Sequence, residues 1–177
     1  MIKISEYRFP RLGKLTLAAE ENKLVGLWIE GQKYFLSSYK EEMIKCDNDI
    51  TLCKAKDWLE RYANGERPSI GEFELAPKGG EFRQEVWNIL CKIPYGEVVT
   101  YGDIAKELAR KKGISSMSAQ AVGNAVGHNP ISIIIPCHRV IGSDGSLTGY
   151  AGGLDKKIFL LGHEGIDIIG NKKVPRK

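Results

Sequence analysis

Cys137, His138 and Arg139 stand side by side, preceded by Pro136 and by a mostly apolar, β-branched run over residues 131–135, four isoleucines around Ser132. An ordinary thiol, with a pKa of about 8.5, is mostly protonated at neutral pH, and a neighbouring base or cation makes more thiolate. A soft thiolate is suited to attack on an sp³ carbon. Neighbouring residues of a strand point to opposite faces. His138 therefore reaches Cys137 only if the chain turns there, or through a water. Pro136 and the glycines downstream make such a bend accessible. A Cys-His dipeptide on its own is most often structural, so the elements around it must carry the argument.

Those elements fall into two groups. Before the Pro-Gly stretch at residues 75–80, Ile2 and Ile4, then Leu15 and Leu17, then Leu24, Leu27 and Ile29 recur at strand spacing, with a hairpin turn at Glu21-Asn22-Lys23. This predicts a small antiparallel sheet. Ala55, Trp58, Leu59 and Tyr62 fall at i, i+3, i+4 and i+7, one helical stripe that Asn64-Gly65 ends. After the stretch the pattern is mostly helical. Phe82, Val86, Ile89, Leu90 and Ile93 form one face of a helix running to Pro94. Thr100 to Asp103 is spaced as a capping box for the next helix. A basic loop, Arg110-Lys111-Lys112-Gly113, leads to Ser118, which can cap a third helix from Ala119 to Gly127. Three short helices joined by turns read as a helix-turn-helix. The third is rich in small residues: Ala119, Ala121, Gly123, Ala125 and Gly127. They suit close approach to another backbone, either DNA or the second helix. The run over residues 131–135 reads as a buried strand. The predicted organisation is an N-terminal α/β domain over residues 1–75, a linker at 76–80, a C-terminal domain over 81–170 and a basic tail at 171–177.

Charge is unevenly placed. Residues 1–75 hold 12 Lys and Arg against 13 Asp and Glu, a net −1, whereas residues 76–177 hold 14 against 9, a net +5, so the second part carries all the positive excess of the chain's +4. That suits a polyanionic partner. The four cysteines form no CxxC pair, which fits a reduced compartment better than a disulfide framework. No run approaches the ~18 apolar residues of a membrane helix, and the first residues lack the apolar core of a signal peptide. A cytoplasmic protein without membrane association is expected. His128 and His163 are too far apart in sequence to indicate a metal site.

The second part resembles the O6-alkylguanine-DNA alkyltransferases, the methylated-DNA–protein-cysteine methyltransferases. The resemblance runs over residues 82–165. It rests on Ile93-Pro94-Tyr95-Gly96-Glu97-Val98-Val99-Thr100-Tyr101, Ala121-Val122-Gly123, Asn129-Pro130, Ile135-Pro136-Cys137-His138-Arg139-Val140-Ile141-Gly142, Gly149-Tyr150-Ala151-Gly152-Gly153 and Leu160-Leu161-Gly162-His163-Glu164-Gly165. It implies a fold of mixed α/β class, with a ribonuclease H-like sheet-and-helix domain before a winged-helix domain. It also implies single-use transfer of an alkyl group from O6-alkylguanine, and O4-alkylthymine, in duplex DNA, after nucleotide flipping from the minor groove. Cys137 would accept the alkyl group, His138 would act as base through a water, and Glu164 would orient His138. Asn129 would brace the turn that presents Cys137. Tyr101 would crowd the phosphate and protonate the leaving base. Tyr101, Gln120, Ala121, Gly123 and Arg139 would serve DNA binding, Arg139 by docking the recognition helix, with an ordinary salt bridge as the alternative for Arg139. Val140, Tyr150, Ala151 and Gly152 would line the guanine pocket. No cofactor and no metal are implied, and a monomer is expected.

The sequence departs from that pattern in places. Gln120 stands where many members carry the Arg that fills the gap left by the flipped base. Ser132 replaces a proline, Ala151 replaces a serine, and residues 111–117 form a longer connection. Three other readings are weighed: a lesion-binding protein without transfer, against which Cys137 argues; a transcription regulator that fuses such a domain to others, for which 177 residues are expected to be too few; and a cysteine hydrolase, which would leave the helix-turn-helix without a role.

Overall fold

The computed structural model describes residues 1–174. Residues 175–177 of the expected basic tail lie outside them. Contacts divide the chain into two compact units: Met1–Gly79 with Pro130–Ile134, and Gly80–Asn129 with Ile135–Lys177. The second part of the chain, expected to be continuous over residues 81–170, therefore gives five residues to the first unit.

In the first unit, β1 (Ile2–Phe9), β2 (Gly13–Glu20), β3 (Lys23–Ile29) and β4 (Met43–Lys45) form one sheet in the order β3-β2-β1-β4. Glu21 and Asn22 turn β2 into β3 with φ of 51° and 62°, the consecutive positive values a tight hairpin turn demands. The sheet is not wholly antiparallel as expected, because β4 runs parallel to β1. Nor do its central strands simply alternate. Leu15 to Ala19 and Leu24 to Ile29 are buried throughout, since α1 (Ile50–Ala63) packs on the sheet and a second cluster of Ile2, Ala18, Val25, Trp28 and Tyr39 also closes on these strands. Asp49 starts α1 by accepting from the Thr51 and Leu52 amides at 2.9 and 3.1 Å. The predicted stripe of Ala55, Trp58, Leu59 and Tyr62 is its buried face.

Pro130–Ile134 is not the expected strand. Leu27 donates to the Pro130 carbonyl and accepts from the Ser132 amide, both at 2.8 Å, which makes a single bridge at the edge of β3. Ile133 then takes φ 70°, which is rare for a β-branched residue. There the chain turns instead of extending.

The second unit contains α2 (Glu81–Leu90), β5 (Val99–Thr100), α3 (Tyr101–Lys112), α4 (Ala119–Gly127), β6 (Val140–Ile141), α5 (Leu154–His163), β7 (Ile168–Ile169) and β8 (Lys172–Lys173). α2 stops at Leu90, short of Pro94, and Ile93 is buried from a following turn. The Thr100–Asp103 capping box starts α3. Arg110, Lys111 and Lys112 belong to its last turn and not to a loop, where the helix dipole favours cations. Gly113, with φ 64°, ends the helix. Ser118 caps α4, and the Trp87 indole donates to the Ala125 carbonyl at 2.9 Å, tying α4 to α2. β5 and β6 pair in parallel, and β7 and β8 form a hairpin whose second strand lies in the expected basic tail. No helix among the described residues is long and apolar enough to cross a membrane.

Candidate active site

Cys137 opens a single 3-10 turn, Cys137–Arg139, and is 4% exposed. This is the bend that an extended chain lacks. Asn129, the last residue of the second unit before the excursion, spans it. Its Nδ2 donates to the Ile135 carbonyl at 2.9 Å and to Cys137 Sγ at 3.1 Å. The Arg139 amide closes the turn on the Pro136 carbonyl at 3.0 Å.

His138 and Glu164 are buried together, with Nε2 and Oε1 2.7 Å apart. Burial alone would raise the Glu164 carboxyl, but His138 and Arg139 outweigh it and hold the group well below the usual range. Burial pushes the His138 imidazole down, against the opposing pull of Glu164, so it is uncharged at neutral pH. A carboxylate only accepts, so Nε2 carries the proton. Nδ1 is then a bare lone pair, buried and without a hydrogen-bond partner among the described residues.

Arg139, expected among the DNA contacts, is itself buried. Its Nε donates to Glu164 Oε2 at 2.8 Å, Nη2 to Oε1 at 3.0 Å and Nη1 to the Ile93 carbonyl at 2.6 Å. With His138 neutral, Arg139 provides the standing charge that holds Glu164 ionised. The Gly96 amide adds a fourth donor at 3.3 Å.

Sequence reasoning passed over Lys157. It is fully buried in α5, and its Nζ donates to the Val140 carbonyl at 2.6 Å and the Thr148 carbonyl at 3.2 Å. Burial lowers its pKa to about 8, although Cys137 opposes that shift. Burial raises the Cys137 thiol, while the Asn129 hydrogen bond and the Lys157 charge pull it down. A signal was present. Lys157, Leu160 and Leu161 are the buried stripe of α5, and Glu164, the residue that caps its C-terminus, continues it at i+7. A lysine and a glutamate in such a stripe require buried partners.

Tyr101 begins α3, and its hydroxyl donates to the same Thr148 carbonyl at 3.0 Å. Burial and the neighbouring Cys137 push its pKa to about 12. Gly123 of α4 faces the Tyr101 ring, where an added Cβ would sit 3.7 Å from it. Gln120 and Ala121 are exposed on the same helix. Val140 is buried in β6, whereas Tyr150, Ala151 and Gly152 form a half-buried turn that Gly153 closes onto the Tyr150 carbonyl at 3.0 Å. Among the described residues no cluster of His, Cys, Asp and Glu could hold a metal ion.

Fold and site together define a class: a sheet-and-helix unit followed by a helix-turn-helix unit that buries a cysteine beside an oriented histidine. The ribonuclease-like domain of 6-O-methylguanine DNA methyltransferase matches residues 2–77, and the DNA binding domain of the same family matches residues 81–166. The chain belongs to the methylated-DNA–protein-cysteine methyltransferase family. It is 45% identical over 159 residues to the methylated-DNA–protein-cysteine methyltransferase of Methanosarcina acetivorans, covering 87% of this chain and 93% of that one. The Haemophilus influenzae relative of the same name is 39% identical over 158 residues, covering 89% and 84%. The crystal structure of Mycobacterium tuberculosis OGT in complex with DNA superposes with a TM-score of 0.78 at 40% identity, covering 92% of this chain and 93% of that one.

Proposed function

We propose that this protein repairs alkylated DNA by direct reversal, taking the alkyl group of O6-alkylguanine, and of O4-alkylthymine, onto Cys137 once per molecule. The observation that carries this reading is the 2.7 Å His138–Glu164 hydrogen bond, which leaves Nδ1 as an uncompensated base in the turn that bears a buried thiol. Residues 1–75 act as the N-terminal domain, 76–80 as linker and 81–170 as the DNA-binding and catalytic domain.

The duplex binds along α4, with Gln120, Ala121 and Gly123 toward the minor groove. That groove is about 6 Å wide, so small side chains fit it. The damaged nucleotide must leave the stack, at a cost of a few kcal/mol. The Cys137 proton passes to His138 Nδ1 through a water, and the imidazolium is stabilised by Glu164. Lys157 steadies the thiolate. The S–C bond forms as the C–O6 bond breaks, and the electron pair stays on the base. The guanine anion takes the Tyr101 proton, and the proton left on His138 restores the balance. Val140, Tyr150, Ala151 and Gly152 enclose the base. The thioether has no route back to thiolate, so turnover ends there. No cofactor takes part, because the damaged base is the alkyl donor. The protein works as a monomer in the cytoplasm, where its free thiols persist.

Intact mass after incubation with an oligonucleotide containing O6-methylguanine tests the reading. One methylene mass located on Cys137, and absent from Cys137→Ala, is expected. Binding without mass gain would sink it in favour of a lesion-binding protein.

A further inference from the structure

The residues that match the family's DNA binding domain end at 166, yet β7 and β8 are built into the segment that follows the acceptor. The Leu147 amide donates to the Asn171 carbonyl at 2.8 Å and the Lys173 amide to the Gly145 carbonyl at 3.0 Å, with a β-bridge between Ser146 and Lys172. The hairpin therefore adds its outer edge to residues 145–147. Ile168 anchors it on the core of Ile141, Leu147, Leu161 and Ile166. The gripped segment is itself tightly wound. The Gly142 amide donates to the Ser146 carbonyl at 2.8 Å, and a Cβ on Gly142 would meet Ser146 Oγ at 2.5 Å.

One residue beyond the grip lies Thr148, whose carbonyl receives both Tyr101 Oη and Lys157 Nζ. Residues 149–153 then lead through the half-buried turn into α5, with Gly149 and Gly153 at φ 57° and 102°. Thr148 and Gly149 are exposed, so their placement depends on the two bonds to the Thr148 carbonyl and on what holds the ends of the stretch.

We propose that the β7–β8 hairpin is a positioning element for the pocket loop. By pinning residues 145–147 it fixes the Thr148 carbonyl between Tyr101 and Lys157, and it thereby limits the size of the alkyl group the site admits. This rests on the alkyl-transfer reading. Releasing the hairpin frees Thr148, lets residues 148–153 swing outward, slows methyl transfer and relaxes exclusion of bulky adducts.

The test uses Lys173→Pro, which removes the amide that bonds Gly145 because proline cannot donate to a ladder. A chain ending at Asp167, which keeps every family-matched residue, decides the matter if the proline variant fails to fold. Single-turnover rates are measured at saturating DNA with O6-methylguanine and O6-benzylguanine in one oligonucleotide context, alongside amide exchange at Leu147. The expected result is faster exchange at Leu147 and a benzyl-to-methyl rate ratio raised about tenfold, the scale on which pocket contacts discriminate small groups. Lys172→Ala, which removes only the exposed pair with Asp144, should leave the ratio unchanged. Faster exchange with an unchanged ratio, or an equal fall of both rates, would overturn the proposal. If the unaltered protein transferred neither group, the alkyl-transfer reading itself would fail.

Discussion

Lys157 in α5 and Glu164, which caps the C-terminus of that helix, lie seven residues apart, and each turns a charge inward onto the acceptor turn. Lys157 reaches the Val140 carbonyl, which follows the turn directly, and Glu164 reaches His138 and Arg139 within it. One helix thus sets both the cation that supports a thiolate and the anion that orients its base.

Replacing Lys157 with Met removes that cation while keeping the volume of the stem. Raising the thiol by about one pKa unit cuts the thiolate fraction tenfold. Single-turnover transfer by Lys157→Met should therefore be slower by about tenfold or more. Stability should change by less than about 2 kcal/mol, because relief of a buried charge offsets two lost hydrogen bonds. Rapid-quench assays and urea unfolding measure the two separately. A variant as fast as the parent would remove Lys157 from the mechanism.

Stability should fall on acidification in two stages. His138 is held below its ordinary 6.5 and Glu164 below its ordinary 4.5. The unfolded chain therefore takes up each proton first, and stability present above those values is lost as the pH drops. The decline begins near pH 6.5 from His138 and steepens near 4.5 from Glu164. On the alkaline side, Lys157 binds its proton more weakly when folded, so its contribution improves between about 8 and 10.5. Urea unfolding across this range should show the early acid stage vanish in His138→Gln.

Gln120 is exposed at the start of α4 and carries no charge. Gln120→Arg should tighten binding to undamaged and damaged duplex alike. It should also steepen the dependence of log K on log salt by about 0.9, the value of one added phosphate contact. Titration by fluorescence anisotropy at several salt concentrations reports both. An unchanged slope would place this residue away from the phosphates.

Alkylation should weaken the fold. Cys137 sits in a closed turn with Asn129 on its sulfur, and an added methyl there overpacks by about 1–3 kcal/mol. Melting points before and after stoichiometric reaction check this, and an unchanged or higher value would contradict it.

Much of the design is legible along the chain, because local chemistry specifies it. The Thr100–Asp103 box, the Ser118 cap, the stripe of α1 and the turn at Glu21-Asn22 depend on residues a few positions apart, and each forms where its spacing places it. The resemblance around Pro136-Cys137-His138-Arg139 indicates the family without any coordinates. What stays hidden depends on partners distant in sequence. Nothing near Arg139 shows that its guanidinium turns to Glu164 and Ile93 instead of outward. Residues 131–135 have the composition of a strand, yet they form one bridge to Leu27 and then turn at Ile133. Two lysines in a row read as a tail until the Lys173 amide is seen to donate to the Gly145 carbonyl and the Leu147 amide to the Asn171 carbonyl. The sequence by itself determined, through the resemblance, the acceptor Cys137 and its partners His138 and Glu164, and, through capping and periodicity, which helices form, since both of the latter are short-range. Only the tertiary structure decided the protonation of His138, the burial of Lys157 and the placing of the Thr148 carbonyl, since hydrogen bonds and desolvation act between groups that only folding brings together.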